Sequence, residues 1–179
     1  MKITMYTDGS SRGNPGPGGW GVVILTDYEV IELGGRDEMT TNNRMELLGT
    51  IEGLKHINTR QQITDGRQNN DTYIKITSVE VCTDSQYVKK GMTEWIQGWI
   101  RRGWKGSTKK DVLNRDLWEQ LLHEETRLKK SGVSIIWKYV KGHAGIPGNE
   151  RADTIATMCA DNASHLQLYR GERSDYPYL

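Results

Sequence analysis

The stretch Ser78-Val79-Glu80-Val81-Cys82-Thr83-Asp84-Ser85-Gln86-Tyr87 decides the architecture of this 179-residue chain. Val79 and Val81 alternate with Glu80 and Cys82, as a strand requires, and the run stops at an acidic residue. From Ser85 to Arg102 the spacing turns helical, with interruptions at Gly91 and Gly98. Upstream, Lys2–Thr7 reads as a short strand ending at Asp8-Gly9. Trp20–Leu25 and Glu29–Gly35 follow, joined by a polar link around Asp27, which predicts an antiparallel meander. Asn43–Ile57 then carries Leu47, Leu48, Ile51, Leu54 and Ile57 at helical spacing. Downstream lie an amphipathic helix at Asn114–Lys130 and a β-rich strand at Val133–Val140. A Gly/Pro loop at Gly142–Gly148 leads to a last helix at Asn149–Ala163. The order β-β-β-α-β-α-α-α-β-α predicts an α/β protein. Its expected core is a five-stranded mixed sheet, three antiparallel strands then two parallel, flanked by helices. Asn58–Tyr73 has almost no apolar periodicity and reads as a loop or hairpin extension. The chain thus divides into a domain at 1–163 and a polar, aromatic tail at 164–179, read as loose or draped on the surface.

Composition agrees with one globular domain. Hydrophobic residues make up 35% and charged residues 26%, and the net charge is only +1, which argues against a disordered chain. No apolar run approaches the ~20 residues of a membrane span. Met1-Lys2-Ile3-Thr4 enters strand-like sequence without a signal-peptide pattern, so a cytoplasmic location is expected. Two cysteines, Cys82 and Cys159, have no ligand spacing and are too few for a disulfide scaffold. Collagen, coiled coil, secreted mini-protein and structural zinc module are excluded. The charge is uneven, however. Lys89–Lys110 holds seven cations (Lys89, Lys90, Arg101, Arg102, Lys105, Lys109, Lys110) against Glu94, a local +6 that leaves −5 for the remainder. The same segment holds Trp95, Trp99 and Trp104, half of the six tryptophans. A polyanion senses the field of one face rather than the total charge.

Gly16-Pro17-Gly18-Gly19-Trp20-Gly21 matches the dinucleotide fingerprint, but a strand follows it where a helix N-terminus is needed. It is read as a tight connection into the second strand. Four carboxylates stand out instead. Asp8 and Asp84 end strands in similar contexts, so parallel, adjacent strands would set them side by side. Glu46 lies in the first turn of a helix and Asp153 early in the last one. Each has a local explanation: an Asx turn for Asp8, a helix N-cap for Asp84, a capping box from Asn43 for Glu46, a favourable helix-start charge for Asp153. Together they converge on the carboxyl ends of the parallel strands, where ligands gather in such sheets. Clustered carboxylates need cations, and all-oxygen ligation points to Mg²⁺ or Mn²⁺ rather than zinc. Two such ions, roughly 3.5–4 Å apart, suit phosphodiester cleavage. His143, between Gly142 and Ala144-Gly145, reads equally as an exposed loop residue without a role or as a proton-transfer group.

These residues resemble a known family. Five stretches carry the resemblance: Thr7-Asp8-Gly9-Ser10 with Gly13-Asn14-Pro15-Gly16-Pro17-Gly18-Gly19; Thr41-Asn42-Asn43-Arg44-Met45-Glu46-Leu47; Thr83-Asp84-Ser85-Gln86-Tyr87-Val88; Val140-Lys141-Gly142-His143-Ala144-Gly145; and Asn149-Glu150-Arg151-Ala152-Asp153. In this order, from Ile3 to about Ala163, they are similar to the bacterial type 1 ribonuclease H. The resemblance implies a ribonuclease H-like fold. It implies endonucleolytic cleavage of the RNA strand of RNA/DNA hybrids, leaving 5′-phosphate and 3′-hydroxyl ends, with two Mg²⁺ on Asp8, Glu46, Asp84 and Asp153. By the same resemblance His143 serves proton transfer or product release. Trp95–Lys105, with Arg101, Arg102, Trp104 and Lys105, matches the family's basic protrusion, which grips the DNA strand. Asn14, Asn42, Asn43 and Gln86 match its RNA contacts, Thr41 and Asn114 its DNA-phosphate pocket, and Trp95, Trp99 and Ser107 its DNA-backbone channel. The expected partner is the hybrid alone, bound by a monomer, with no membrane. The long Asn58–Tyr73 stretch and the tail have no counterpart in the family pattern, and the absence of a preceding hybrid-binding module leaves the protrusion as the main grip. A related-fold polynucleotidyl transferase acting on DNA is argued against by the Trp-rich basic segment. A non-catalytic hybrid-binding module should lack a carboxylate, and all four are present.

Overall fold

The computed structural model describes residues 1–66 and 75–178. Its elements are β1 (Lys2–Ser11), β2 (Gly16–Leu25), β3 (Glu29–Thr40), α1 (Asn42–Gly66), β4 (Ser78–Thr83), α2 (Gln86–Lys90), a π turn (Gly91–Trp95), α3 (Ile96–Arg101), α4 (Arg115–Lys130), β5 (Ser134–Tyr139), α5 (Pro147–Ala160) and β6 (Arg170–Glu172). The sheet runs β5-β4-β1-β2-β3-β6. β1, β2 and β3 form the expected antiparallel meander, and β4 joins β1 in parallel, with β5 parallel to β4.

Alternation along β2 builds both layers. Val22 and Ile24 face α1 and α4 in the larger core, with Met5, Leu47, Ile51, Leu54, Val79, Val81 and Trp118. Val23 and Leu25 face α5 on the other side, with Ala152 and Ile155. Gly19 and Gly21 do not make a connection into β2, as the sequence suggested. They lie within the strand beneath α5, where a Cβ would collide with the helix backbone at Ala156 and Ala152. Two arginines hold the far end of that helix. Arg12 pairs with Asp161 through both carboxylate oxygens, and Arg36 donates to the Ala160 carbonyl.

Three expectations are corrected. Among the described residues the sheet has six strands, not five, because the tail read as starting at 164 is, as far as Tyr178, neither loose nor merely draped. Its β6 pairs antiparallel with β3 at Glu29↔Glu172, Val30↔Gly171 and Ile31↔Arg170, and Tyr176 is buried. The predicted loop at Asn58–Tyr73 begins as helix, since α1 continues to Gly66; its remainder, 67–73, lies outside the described residues. Of the two predicted helix interruptions only Gly91 is one. A Cβ there would collide with the Trp118 ring, and the π turn opens the helix around that ring. Gly98 lies inside α3. Among the described residues no helix is long and apolar enough to cross a membrane.

Candidate active site

Strand pairing builds the site. Thr7 of β1 is the register partner of Thr83 of β4, so the next residues, Asp8 and Asp84, leave the two parallel strands together. β1 itself continues to Ser11, with Asp8 opposite Gly21. Glu46 arrives from the second turn of α1. Gly9 is what lets that helix approach, because any Cβ at this position would collide with the backbone of Met45 and Glu46. Oxygens of Asp8, Glu46 and Asp84 all lie within 4.8 Å of one another. Asp153, from α5, stands beside Asp8 at hydrogen-bonding range and completes the acidic group.

The local explanations for these residues fall away in three cases. Thr41, not Asn43, caps α1: its hydroxyl accepts from the Arg44 N–H at 3.4 Å, so no capping box engages Glu46. Ser85, not Asp84, caps α2 through its hydroxyl and the Val88 N–H, 3.3 Å apart. Asp153 lies in the interior of α5, beyond its first turn. Asp8 does accept from the Gly9 N–H at 2.7 Å, a local bond that leaves its second oxygen for the cluster.

The electrostatics are those of anions crowded without a counter-charge. Burial first, then the neighbouring Asp84 and Asp153, push the Asp8 carboxyl up to about 8. Glu46 is also held well above the carboxylate range, by burial and then by Asp8 and Asp84. The Glu46 Oε2 atom is fully buried and has no hydrogen-bond partner among the described residues. A buried acceptor of this kind is costly unless something ligates it. A group of hard oxygens with one orphaned carboxylate oxygen fits a divalent cation of the Mg²⁺ or Mn²⁺ type.

His143 sits in the loop before α5, in the left-handed region at φ 51°, with its side chain 84% exposed. Its Nδ1 is 3.9 Å from Asp153 Oδ2. Asn14, in the β1–β2 turn, and Asn42, Asn43 and Gln86, at helix starts, are all exposed. Thr41 and Asn114 meet through Arg44, whose side chain donates to Asn114 Oδ1 at 3.4 Å and pairs with Asp116 at 2.7 Å.

The basic segment is less free than its sequence implies. The Trp95 and Trp99 rings lie 5.8 Å apart, tilted at 48° to each other, and Trp99 packs edge-on against the buried Trp118 at 5.3 Å. Trp104 lies beneath Arg115. Lys105 is paired with Asp111, and Arg102 donates to the Lys105 carbonyl. Arg101, Ser107 and Lys109 are exposed.

One participant has no signal in spacing or periodicity. Asn149 of α5 is buried, and its Nδ2 donates to Asp84 Oδ2 at 3.3 Å. Gly142 provides the space that Asp84 occupies, since a Cβ there would stand 2.6 Å from Oδ2.

The RNase H family model matches residues 1–161. The ribonuclease H of Chromohalobacter salexigens is 42% identical over 174 residues, covering 96% of this chain and 93% of that protein. Among solved structures, LC9-RNase H1, described as a type 1 RNase H with the type 2 active-site motif, superposes with a TM-score of 0.69. It is 29% identical, over 90% of this chain and 72% of that one. LC11-RNase H1 in complex with an RNA/DNA hybrid gives a TM-score of 0.59 at 25% identity, over 90% and 98% of the two chains. With a family model spanning nine-tenths of its length and a relative this similar along nearly all of it, the chain belongs to the ribonuclease H family.

Proposed function

We propose that Asp8, Glu46, Asp84 and Asp153 together hold two Mg²⁺ ions, and that this cluster is where the chain, as a ribonuclease H, hydrolyses the RNA strand of RNA/DNA hybrids. The observation that carries the assignment is the convergence of three carboxylates within 4.8 Å, one of them bearing a buried oxygen with no partner among the described residues. When bound, the metal supplies Lewis-acid stabilisation of the charge that develops on the phosphate. The protein's own residues do the remainder. Asn149 and the Gly9 N–H orient Asp84 and Asp8. In the reaction a water oxygen bonds to phosphorus as the P–O3′ bond breaks. The 3′ oxygen leaves as a hydroxyl and the phosphate stays on the 5′ end. The exposed imidazole of His143, 3.9 Å from Asp153, serves the proton movement or the departure of product at the mouth of the site.

Recognition divides by strand. Asn14, Asn42, Asn43 and Gln86 offer exposed amide donors and acceptors, the chemistry that reads a 2′-hydroxyl. Thr41 and Asn114, joined by Arg44, take a DNA phosphate. Trp95, Trp99, Trp104 and Ser107, with Arg101, Arg102 and Lys105, follow the DNA backbone, where cations provide affinity without sequence preference. The test is one gel of labelled RNA/DNA hybrid, RNA/RNA, DNA/DNA and single-stranded RNA, each with Mg²⁺ or EDTA. Cleavage confined to the RNA of the hybrid, and only with Mg²⁺, is expected. Cleavage of duplex DNA would favour the DNA-directed transferase chemistry instead.

A further inference from the structure

On the face of the sheet covered by α5, Arg151 makes a two-pronged ion pair with Glu32 of β3. Nε to Oε1 is 2.7 Å, and the second nitrogen to Oε2 is 2.8 Å. Both groups are out of water, with Arg151 9% and Glu32 3% exposed. The C-terminal segment completes the arrangement. The Tyr176 hydroxyl donates to Glu32 Oε1 at 2.7 Å and the Tyr169 N–H to Oε2 at 2.9 Å. Arg151 also donates to the Gln167 carbonyl at 3.1 Å, and its guanidinium lies 4.2 Å from the centre of the Tyr178 ring. Burial opposes the charge on Glu32, but the donors from Arg151, Tyr176 and Tyr169 outweigh it and hold the carboxyl below its ordinary range.

A buried ion pair adds little net stability over an apolar filling of the same space. What it does is penalise every arrangement that leaves one charge alone. That matters here because the middle of α5 lies directly on sheet backbone. Its Ala152, Ile155 and Ala156 sit over Gly19, Gly21 and Gly34, and Arg12 and Arg36 tie down its C-terminal end, so the Glu32–Arg151 pair is a polar anchor for its N-terminal half. Arg151 is flanked on the same helix by Asn149 and Asp153, and these reach Asp84 and Asp8. A shift of α5 along the sheet would therefore move two members of the acidic site at once.

We infer that Arg151 is a positioning residue for the acidic cluster, and that the C-terminal segment from Gln167 to Tyr178 seals the Glu32–Arg151 pair that fixes the N-terminal half of α5 on the sheet. The inference rests on the reading of the cluster as a metal site. Arg151→Lys keeps the charge and loses the fork. Tyr176→Phe removes one donor and keeps the ring. Ile57→Val, in the other core, is the control for stability lost without contact to α5.

Arg151→Lys is expected to lower kcat about 10-fold with KM for hybrid within about twofold, the pattern of a misplaced reacting group. Mn²⁺ binding to the substrate-free protein, followed by calorimetry, is expected to weaken about 10-fold, a loss of about 1.4 kcal/mol. Tyr176→Phe shifts both in the same direction by about threefold. Ile57→Val shifts neither, although its unfolding midpoint falls. Wild-type kcat and Mn²⁺ affinity in folded Arg151→Lys and Tyr176→Phe would overturn the positioning role alone. If Arg151→Lys does not fold, Tyr176→Phe decides by the same criterion. Absence of Mn²⁺ binding by the wild-type chain, or binding unchanged by Asp8→Asn, would instead overturn the metal site and the inference with it.

Discussion

Asp8 and Asp84 stand side by side because each follows the last register partners, Thr7 and Thr83, of two adjacent parallel strands. The sheet thus forces two anions together, and α1 and α5 add Glu46 and Asp153 to them. Burial first, and then Asp84 and Asp153, push the Asp8 carboxyl up to about 8 from an ordinary value of 3.8. Because the folded value is the raised one, its contribution to metal-free stability is complete below about pH 4 and is lost as pH rises through about 8. Denaturant unfolding in EDTA at pH 5.5 and 8.5 should show the wild-type chain weaker at the higher pH.

Asp8→Asn removes that repulsion and one metal ligand. The metal-free variant should be more stable at pH 8.5 by about 1–3 kcal/mol, with a shallower pH dependence. Its kcat should fall by about 10³-fold or more, since the metal supplies several kcal/mol of transition-state stabilisation. An active variant that is less stable than wild type would refute the assignment.

His143→Ala should leave measurable, metal-dependent cleavage, reduced by about 10²–10⁴-fold at most. The side chain is 84% exposed, so the thermal midpoint should stay nearly unchanged. Total inactivity with intact Mg²⁺ binding would give the imidazole a larger role than proton movement or release.

Neutralising Arg101, Arg102, Lys105 and Lys109 together should raise KM for hybrid and leave kcat at saturation nearly unchanged. The plot of log affinity against log salt should flatten by roughly 0.9 per lost phosphate contact. Lys105 and Arg102 already have partners, Asp111 and the Lys105 carbonyl, so Arg101 and Lys109 should account for most of the change. A wild-type KM and salt slope would reduce the segment to a solvated face.

Trp99→Ala should behave differently from those charge changes. Its ring supports Trp118, which is fully buried, so the variant should lose about 2 kcal/mol of stability in urea unfolding. Hybrid binding should weaken with little effect on the salt slope. Unaltered stability would mean that the ring serves only the nucleic acid.

Local sequence determined a great deal here. Alternation at Val79 and Val81, helical spacing at Leu47, Ile51 and Leu54, and an Asp after each of two strand-like runs were enough to predict the mixed sheet and the meeting of Asp8 with Asp84, although β1 itself runs on to Ser11. Those signals are legible because period and position in a strand or helix depend on neighbours in the chain. Tertiary structure decided the rest. Arg170-Gly171-Glu172 has no strand pattern and becomes β6 only because the open edge of β3 is there to pair with it. The tryptophans of the basic segment looked available for a ligand, yet Trp99 is shared with Trp118, which arrives from a separate helix. Asn149 and Arg151 carry no spacing signal. Their partners, Asp84 and Glu32, lie 65 and 119 residues away, and contacts across such separations exist only once the sheet has brought the elements together.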